Sequence, residues 1–331
     1  MKIRDPEKNF ERLWRTFHRR YPFFALRKVN WAKQYETFRP QVTAETTDDE
    51  LWDILCQMLG PLHDGHVELS AKRAAGGKKR YFNPEKQSRF EREFSPGESK
   101  QLKRTTNATL AAHGFGKPEK TNAWMLRYCR SSDVGYLRVL ELEGVKKRRL
   151  AEALDQIALD FKTLNGFIID LRENPGGDDS TVLAILDRFC DRKRIAFHRK
   201  TKIGPREDDF TLMKTWRLEP QGDAQFTGPT VLLTCDAVFS GAEVFALAAK
   251  QLPYVTIVGD RTNGIFSYQL EKKLPNGWRY RLSHQVYLSA DRVCYEAVGV
   301  PPDIELLNSK ADIENGADPL IIRALEILRA R

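Results

Sequence analysis

The chain of 331 residues reads as an α/β protein that opens with a helical unit. The runs GYLRVLEL, GFIIDL, TVLLTC and VTIVGD are β-branched or aliphatic and bounded by turn residues, the pattern of buried strands. Helical patterns lie between them, so strands and helices alternate as in parallel βαβ units. Ahead of this region, Phe10, Leu13, Trp14, Phe17 and Tyr21 recur at helical spacing, which gives one strongly apolar helix face.

A second helix follows the first, with Asp48 or Asp49 as its cap and Leu51, Ile54, Leu55 and Met58 as its stripe. Gly60 and Pro61 end it and lead into HDGHVEL, so residues 1–69 are expected to form the helical unit. Residues 70–132 carry Gly76-Gly77, Pro84, Pro96-Gly97 and Pro118, which are expected to break any long element. The α/β core is expected over 133–331. In it, Leu150, Leu154, Ile157, Ala158 and Phe161 mark an amphipathic helix. GFIIDL is followed by the turn RENPGGDDS and a helix from Thr181 to Phe189, and TVLLTC by a helix from Gly241 to Gln251. The PNG at 275–277 predicts a hairpin turn. Asp318 as cap and Pro319 at the first position open a final helix that buries Leu320, Ile321, Ala324, Leu325 and Leu328. There is no internal repeat.

A hydrophobic content of 41% beside 30% charged residues suits a globular protein of about two domains. No run of about 18 apolar residues predicts a transmembrane helix. The first twenty residues lack the apolar stretch of a signal peptide, so a complete chain is expected in the cytoplasm and a trimmed one could be periplasmic or exported. Five widely spaced cysteines without a C-x-x-C pair read as buried small hydrophobes rather than disulfides or a zinc site. Of the net charge of +9, residues 71–120 hold +8, from 13 Lys or Arg against 5 Asp or Glu. That segment lacks interleaved aromatics, a zinc motif or a recognition helix, so it is expected to be a solvated basic insertion and no specific nucleic acid is expected as partner.

Ser240 stands where TVLLTC meets the helix beginning at Gly241. With Glu243 it spells S-x-x-E, the capping-box pattern. The same position suits a nucleophile, because a helix start places free amides and the positive dipole end beside the hydroxyl. Such a serine needs a base. Of His18, His63, His66, His113, His198 and His284, His66 is singled out by D-G-H, a turn between helix and strand where loops present functional groups. An ordinary histidine base would switch on through roughly pH 6 to 7.5. Acyl transfer also needs amides aimed at an oxyanion, which the turn Asn174-Pro175-Gly176-Gly177 and Gly241 could supply. No HExxH, G-x-G-x-x-G, Walker lysine or G-x-S-x-G is present, so no metal and no cofactor is expected, and neither is an ordinary α/β-hydrolase.

IIDLRENPGG resembles the D-L-R-x-N-x-G-G motif of the family S41 serine peptidases, FSGAE their nucleophile motif, and YEAVGVPPDI their E-G-x-G-V-x-P-D motif. LHDGH is similar to the L-x-D-G-H segment of the tricorn-core and interphotoreceptor retinoid-binding-protein branch. The resemblance runs from NFERLW to the final helix. It implies a ClpP/crotonase-like spiral core and places Ser240 on the nucleophile, Gly241, Gly176 and Gly177 on the oxyanion hole, His66 on the general base and Glu296 on the carboxylate that orients it. In the carboxy-terminal processing branch a lysine in T-x-G-K serves as base; here the segment reads Thr262-Asn263-Gly264-Ile265, so a Ser-Lys dyad is not expected. Ala297 stands where glycine is usual. The basic segment occupies the place of that branch's PDZ module, so no PDZ domain is expected.

The resemblance thus implies a serine endopeptidase that works on peptide or protein substrates through a Ser-His-Glu unit and an acyl-enzyme. The alternative is a noncatalytic module of the same fold that binds an apolar ligand or peptide. A nucleic-acid scaffold built on residues 71–120 ranks below both. Oligomeric state has no signature in the sequence.

Overall fold

The computed structural model describes residues 5–71 and 79–330. The chain divides into two compact units, one from Met1–Lys86, Arg199–Lys214 and Ser267–Tyr287, the other from Gln87–His198, Thr215–Phe266 and Leu288–Arg331. Of the segments expected along the chain, 1–69 falls wholly in the first unit, whereas 70–132 and 133–331 each contribute to both. Gly76-Gly77 lies outside the described residues.

In the first unit, helix Pro6–Arg20 starts at Asp5, whose carboxylate accepts the Lys8 amide at 2.8 Å. Its apolar stripe buries Phe10, Leu13 and Phe17 as the spacing predicts. Helix Asp48–Leu59 is capped one residue earlier than expected, by Thr47. The Thr47 hydroxyl accepts the Glu50 amide and the Glu50 carboxylate accepts the Thr47 amide, a reciprocal box that leaves Asp48 and Asp49 in the first turn beside the positive dipole end. Among the described residues this unit has a four-stranded antiparallel sheet in the order Gln269–Lys273, Arg279–Ser283, Glu68–Ala71, Arg80–Phe82. The PNG turn joins the first two strands as expected. Leu274 N–H donates to the Trp278 carbonyl at 2.8 Å, and Gly277 takes the left-handed φ of 91° that the turn needs. Tyr280 fastens sheet to helix by stacking on Phe17 and donating to Thr16 Oγ1 at 2.8 Å.

The second unit holds the alternating α/β pattern. Strands Ile304–Glu305, Val255–Gly259, Thr230–Thr234, Gly166–Asp170 and Val134–Val139 run parallel in that spatial order, and Leu126–Arg130 and Glu119–Lys120 continue the sheet antiparallel. Every residue of Gly166–Asp170 and Thr230–Thr234 is buried, which is why they read as unbroken apolar runs. Ile168, Val231, Leu233 and Val258 form a core with Leu110 and with Leu320, Ile321, Ala324, Leu325 and Leu328 of helix Pro319–Arg329. Burying each of these Val, Leu or Ile side chains contributes about 1.5–3 kcal/mol. Asp318 caps that helix, accepting the Leu320 amide, as expected.

The basic segment departs from expectation. Residues Pro96–Ala112 form one helix of 17 residues, opened by a Ser95–Glu98 capping box with Pro96 at its first position. Proline there starts a helix rather than breaking one, since its missing N–H is one that the first turn leaves unpaired anyway. The buried face is Leu102, Thr105, Thr106, Thr109 and Leu110, and its threonines hid the periodicity. Thr106 Oγ1 donates to Asp318 at 2.6 Å, and the Asp318 amide donates to Thr109 Oγ1 at 2.9 Å. This helix is thus part of the core and not a solvated insertion.

The motif DLR is a structural clamp. The Arg172 guanidinium, 4% exposed, donates to Asp170 at 2.8 Å, to Asp318 at 2.8 Å and to Asn308 at 3.0 Å. Burial alone would raise the Asp170 carboxyl, but Arg172 and Arg138 more than offset it and hold it well below the usual carboxylate range. No described helix is long and apolar enough to cross a membrane.

Candidate active site

Ser240 occupies the junction predicted for it, between strand Thr230–Thr234 and helix Gly241–Ala249. Its backbone lies at φ 55°, ψ −122°, a conformation that costs an L residue on the order of 1–3 kcal/mol. The capping reading of S-x-x-E is corrected here, because the Ser240 hydroxyl makes no capping hydrogen bond. Its side chain, partly exposed, is left to other chemistry.

The Glu243 amide donates instead to the Ser240 carbonyl at 2.9 Å, and the Glu243 side chain serves a further purpose. It is fully buried and its carboxylate accepts the Thr262 hydroxyl, the Gly264 amide and the Ile265 amide, each at 2.6 Å. Burial pushes its pKa up to about 7, against the lowering effect of these donors and of the Ser240 amide.

The turn after Arg172 meets Ser240 at close range. The Asn174 carbonyl accepts the Phe239 amide at 3.1 Å, and its side chain donates to the Val139 carbonyl at 2.8 Å. Gly176 (φ 101°) and Gly177 (φ 139°) are forced. A Cβ on Gly176 would lie 2.6 Å from Gly241 N and 2.7 Å from Ser240 Cβ, and one on Gly177 would lie 2.3 Å from the Leu142 carbonyl carbon. The expected oxyanion set needs one correction. The Gly176 N–H is already engaged, donating to Asn174 Oδ1 at 2.8 Å. Among the described residues, the amides of Gly177 and Gly241 donate to no backbone or side-chain acceptor, and a Cβ on Gly241 would lie only 2.9 Å from Gly177 N.

Glu296 is 2% exposed, so it is no surface acid. Its Oε2 accepts the Phe266 amide at 3.0 Å, and Ala297, at φ 62°, donates its N–H to the Gly264 carbonyl at 2.7 Å. The segment that Glu243 grips is therefore the one that holds Glu296. Ile265 is buried, as an apolar residue in the place of a lysine should be.

His66 lies in the other unit, 4% exposed, with its amide donating to Asp64 Oδ1 at 2.8 Å. Tyr21 donates to the other oxygen of Asp64 at 2.8 Å, and Asn83 donates to the Gly65 carbonyl at 2.9 Å. The tight left-handed position of this turn is His63, at φ 46°. Burial lowers the His66 pKa to about 4, with Asp64 opposing, so the ring is neutral at physiological pH. Ser240, Gly177, Gly241 and Glu296 all belong to the second unit. His198 and His284 are engaged elsewhere, His198 with Thr215 and the Ala290 carbonyl, His284 with the Tyr268 carbonyl. No group of three or more His, Cys, Asp or Glu among the described residues could hold a metal ion.

The profile of peptidase family S41 matches residues 133–306. The chain belongs to peptidase family S41. The tricorn protease C1 domain matches residues 4–60. The chain is 26% identical over 176 residues to the carboxy-terminal processing protease CtpA of Bacillus subtilis, an alignment covering 53% of this chain and 35% of that protein. It is 26% identical over 168 residues to the tricorn protease of Thermoplasma volcanium, covering 50% of this chain and 15% of that protein. The chain thus spans about a third and about a seventh of the lengths of these two relatives. A crystal structure of a candidate peptidase from Parabacteroides merdae superposes with a TM-score of 0.80 at 27% identity, covering 98% of this chain and 96% of that one.

In this S41 chain, Asn174, Glu243 and Asp64 hold the backbone beside the candidate site residues through hydrogen bonds that local sequence does not signal. Asn174 and Asp64 lie in NPGG and LHDGH, but an Asn after a strand signals only a turn, and Asp64 is engaged only when Tyr21 arrives from 43 residues away.

Proposed function

We propose that this protein is a serine peptidase in which Ser240, His66 and Glu296 form the catalytic unit and the Gly177 and Gly241 amides form the oxyanion hole. The observation that carries the reading is Ser240 itself: partly exposed, held at positive φ on a helix start, free of a capping bond and packed against two uncommitted glycine amides.

In this reading His66, neutral because it is buried, accepts the Ser240 proton as Oγ bonds to the scissile carbonyl carbon. The carbonyl oxygen gathers negative charge and is stabilised by the two amides. The intermediate collapses, the C–N bond breaks and the leaving amine takes the proton from His66, which leaves an acyl-enzyme. Water, deprotonated by His66, then attacks the ester and frees Ser240. Glu296 orients the imidazole and stabilises the imidazolium formed in each half. The substrate class is a peptide or protein.

A fluorophosphonate probe should label the protein at Ser240, and casein hydrolysis should accompany labelling. Ser240→Ala should abolish both, with hydrolysis reduced by at least about 10⁴-fold. A folded protein that takes no label and cleaves no peptide would instead be a noncatalytic module of this family.

A further inference from the structure

A groove of about 910 Å³ in the first unit runs between helix Pro6–Arg20 and the end of strand Gln269–Lys273. Lys8, Arg12, Arg15 and Arg19 line it from one helix face, and Lys272 and Lys273 face them from the strand side. All six are exposed. The one acid in the lining, Glu11, is already held by Arg39 at 3.0 Å and by the Tyr35 hydroxyl at 2.6 Å, and it also meets Arg15 at 3.3 Å. Among the described residues, Lys8, Arg12, Arg19, Lys272 and Lys273 have no acidic partner. The charge was not conspicuous along the chain, because the sequence excess lies in 71–120, whereas this cluster forms only when positions 8–19 and 272–273 meet.

We infer that this groove binds an extended acidic polypeptide segment. Like charges gathered in a concave site repel one another, and a polyanion relieves that repulsion. Three anionic classes could do so, and the lining discriminates among them. It holds no aromatic ring on which bases could stack, which disfavours a nucleic acid. Its apolar lining is only Leu274, 2% exposed, and the partly exposed ring of Pro275, too little for a wedge into a bilayer, and a concave groove suits a chain better than a plane of headgroups. Carboxylates match the forked donors of Arg12, Arg15 and Arg19.

The geometry also sets the pattern of the ligand. From Lys8 to Arg19 the helix rises about 16 Å, the length of roughly five extended residues. Successive cations on this face are about 4.5–6 Å apart along the axis, somewhat below the roughly 6.7 Å between alternate side chains of an extended strand but within reach of flexible Lys and Arg side chains. The preferred segment therefore carries Asp or Glu at alternate positions. That such a segment belongs to a substrate rests on the peptidase reading; that the groove binds it does not.

The test uses the full chain with Ser240→Ala, so that no probe is cleaved. A fluorescent peptide alternating Glu and Ser should bind, with affinity falling steeply as salt rises, and its Gln/Ser counterpart should not. Arg12→Glu with Arg19→Glu should weaken binding roughly tenfold or more, and Lys272→Glu with Lys273→Glu, in a separate protein checked by its melting curve, should do the same. Equal affinity in Ser240→Ala and in both charge-reversed variants made on it overturns the inference, as does tighter binding of oligouridylate or of phosphatidylserine vesicles than of the peptide. Binding as stated by a wild type that hydrolyses no peptide would remove the peptidase reading and leave the groove standing. Hydrolysis without groove-dependent binding would do the reverse.

Discussion

The buried carboxylate of Glu243 accepts the hydroxyl of Thr262 at 2.6 Å, joining the helix behind Ser240 to the segment that holds Glu296. Two amides of the same segment, Gly264 and Ile265, share that carboxylate. Glu243→Gln would keep Oε1 for Thr262 and Gly264 but set an NH₂ against the Ile265 amide. The expected cost is about 1–3 kcal/mol of stability, read from denaturant unfolding, together with a lower kcat and an almost unchanged KM. A variant as stable and active as wild type would remove Glu243 from this role.

Ser240→Ala is expected to change stability by less than about 0.5 kcal/mol, because no capping bond is lost; a working cap would have cost about 1 kcal/mol. Ser240→Gly should be at least as stable as Ser240→Ala, since glycine adopts φ 55° without strain and this offsets its greater freedom in the unfolded chain. Thermal unfolding of the two variants side by side decides this, and a clear loss in Ser240→Ala would restore the capping role.

Burial of His66 is expected to move the pH dependence below the ordinary histidine range. His66 has a folded pKa of about 4 against the ordinary 6.5, so the unfolded chain binds the extra proton between those values. Its contribution to stability is present above about pH 6.5 and is lost as pH falls towards 4. Glu243 acts with the opposite sign. Its folded pKa of about 7 exceeds its ordinary 4.5, so its contribution is present below about pH 4.5 and is lost as pH rises through 7. Stability against pH from 4 to 8 should therefore be flatter in wild type than in Glu243→Gln, which keeps only the histidine slope. The rising limb of kcat/KM should fall below pH 6, and His66→Ala should abolish activity; a limb near pH 7 would contradict the buried neutral ring.

Glu296→Gln should fold and lower kcat by about 10²–10⁴-fold. The carboxamide can keep its oxygen on the Phe266 amide, so melting should shift little while turnover collapses. Added to Ser240→Ala, the change should cost almost nothing further, because members of one catalytic unit are not additive. Steady-state kinetics beside melting curves separate this from a purely structural role, in which stability would fall and kcat per folded molecule would not.

Sequence alone determined what depends on neighbours along the chain. The apolar runs of Gly166–Asp170 and Thr230–Thr234 announced buried parallel strands, the Phe10–Leu13–Phe17 stripe a helix, PNG a hairpin and Asp318-Pro319 a helix start, since each rests on local periodicity or backbone chemistry. Ser240 stood out for the same reason, at a junction visible in both flanking runs. Tertiary structure alone decided which of two local roles each polar group takes. S-x-x-E promised a reciprocal cap, yet the Ser240 hydroxyl makes no capping bond and the Glu243 carboxylate is shared with a segment some twenty residues away. The Gly-Gly turn promised two amides, yet Asn174 engaged that of Gly176. Helix Pro96–Ala112 passed for a solvated charge run because its buried threonines find their partner, Asp318, only about 210 residues on. A buried polar atom must be matched by whatever the fold brings to it, and that partner is chosen by packing across the chain rather than by spacing along it.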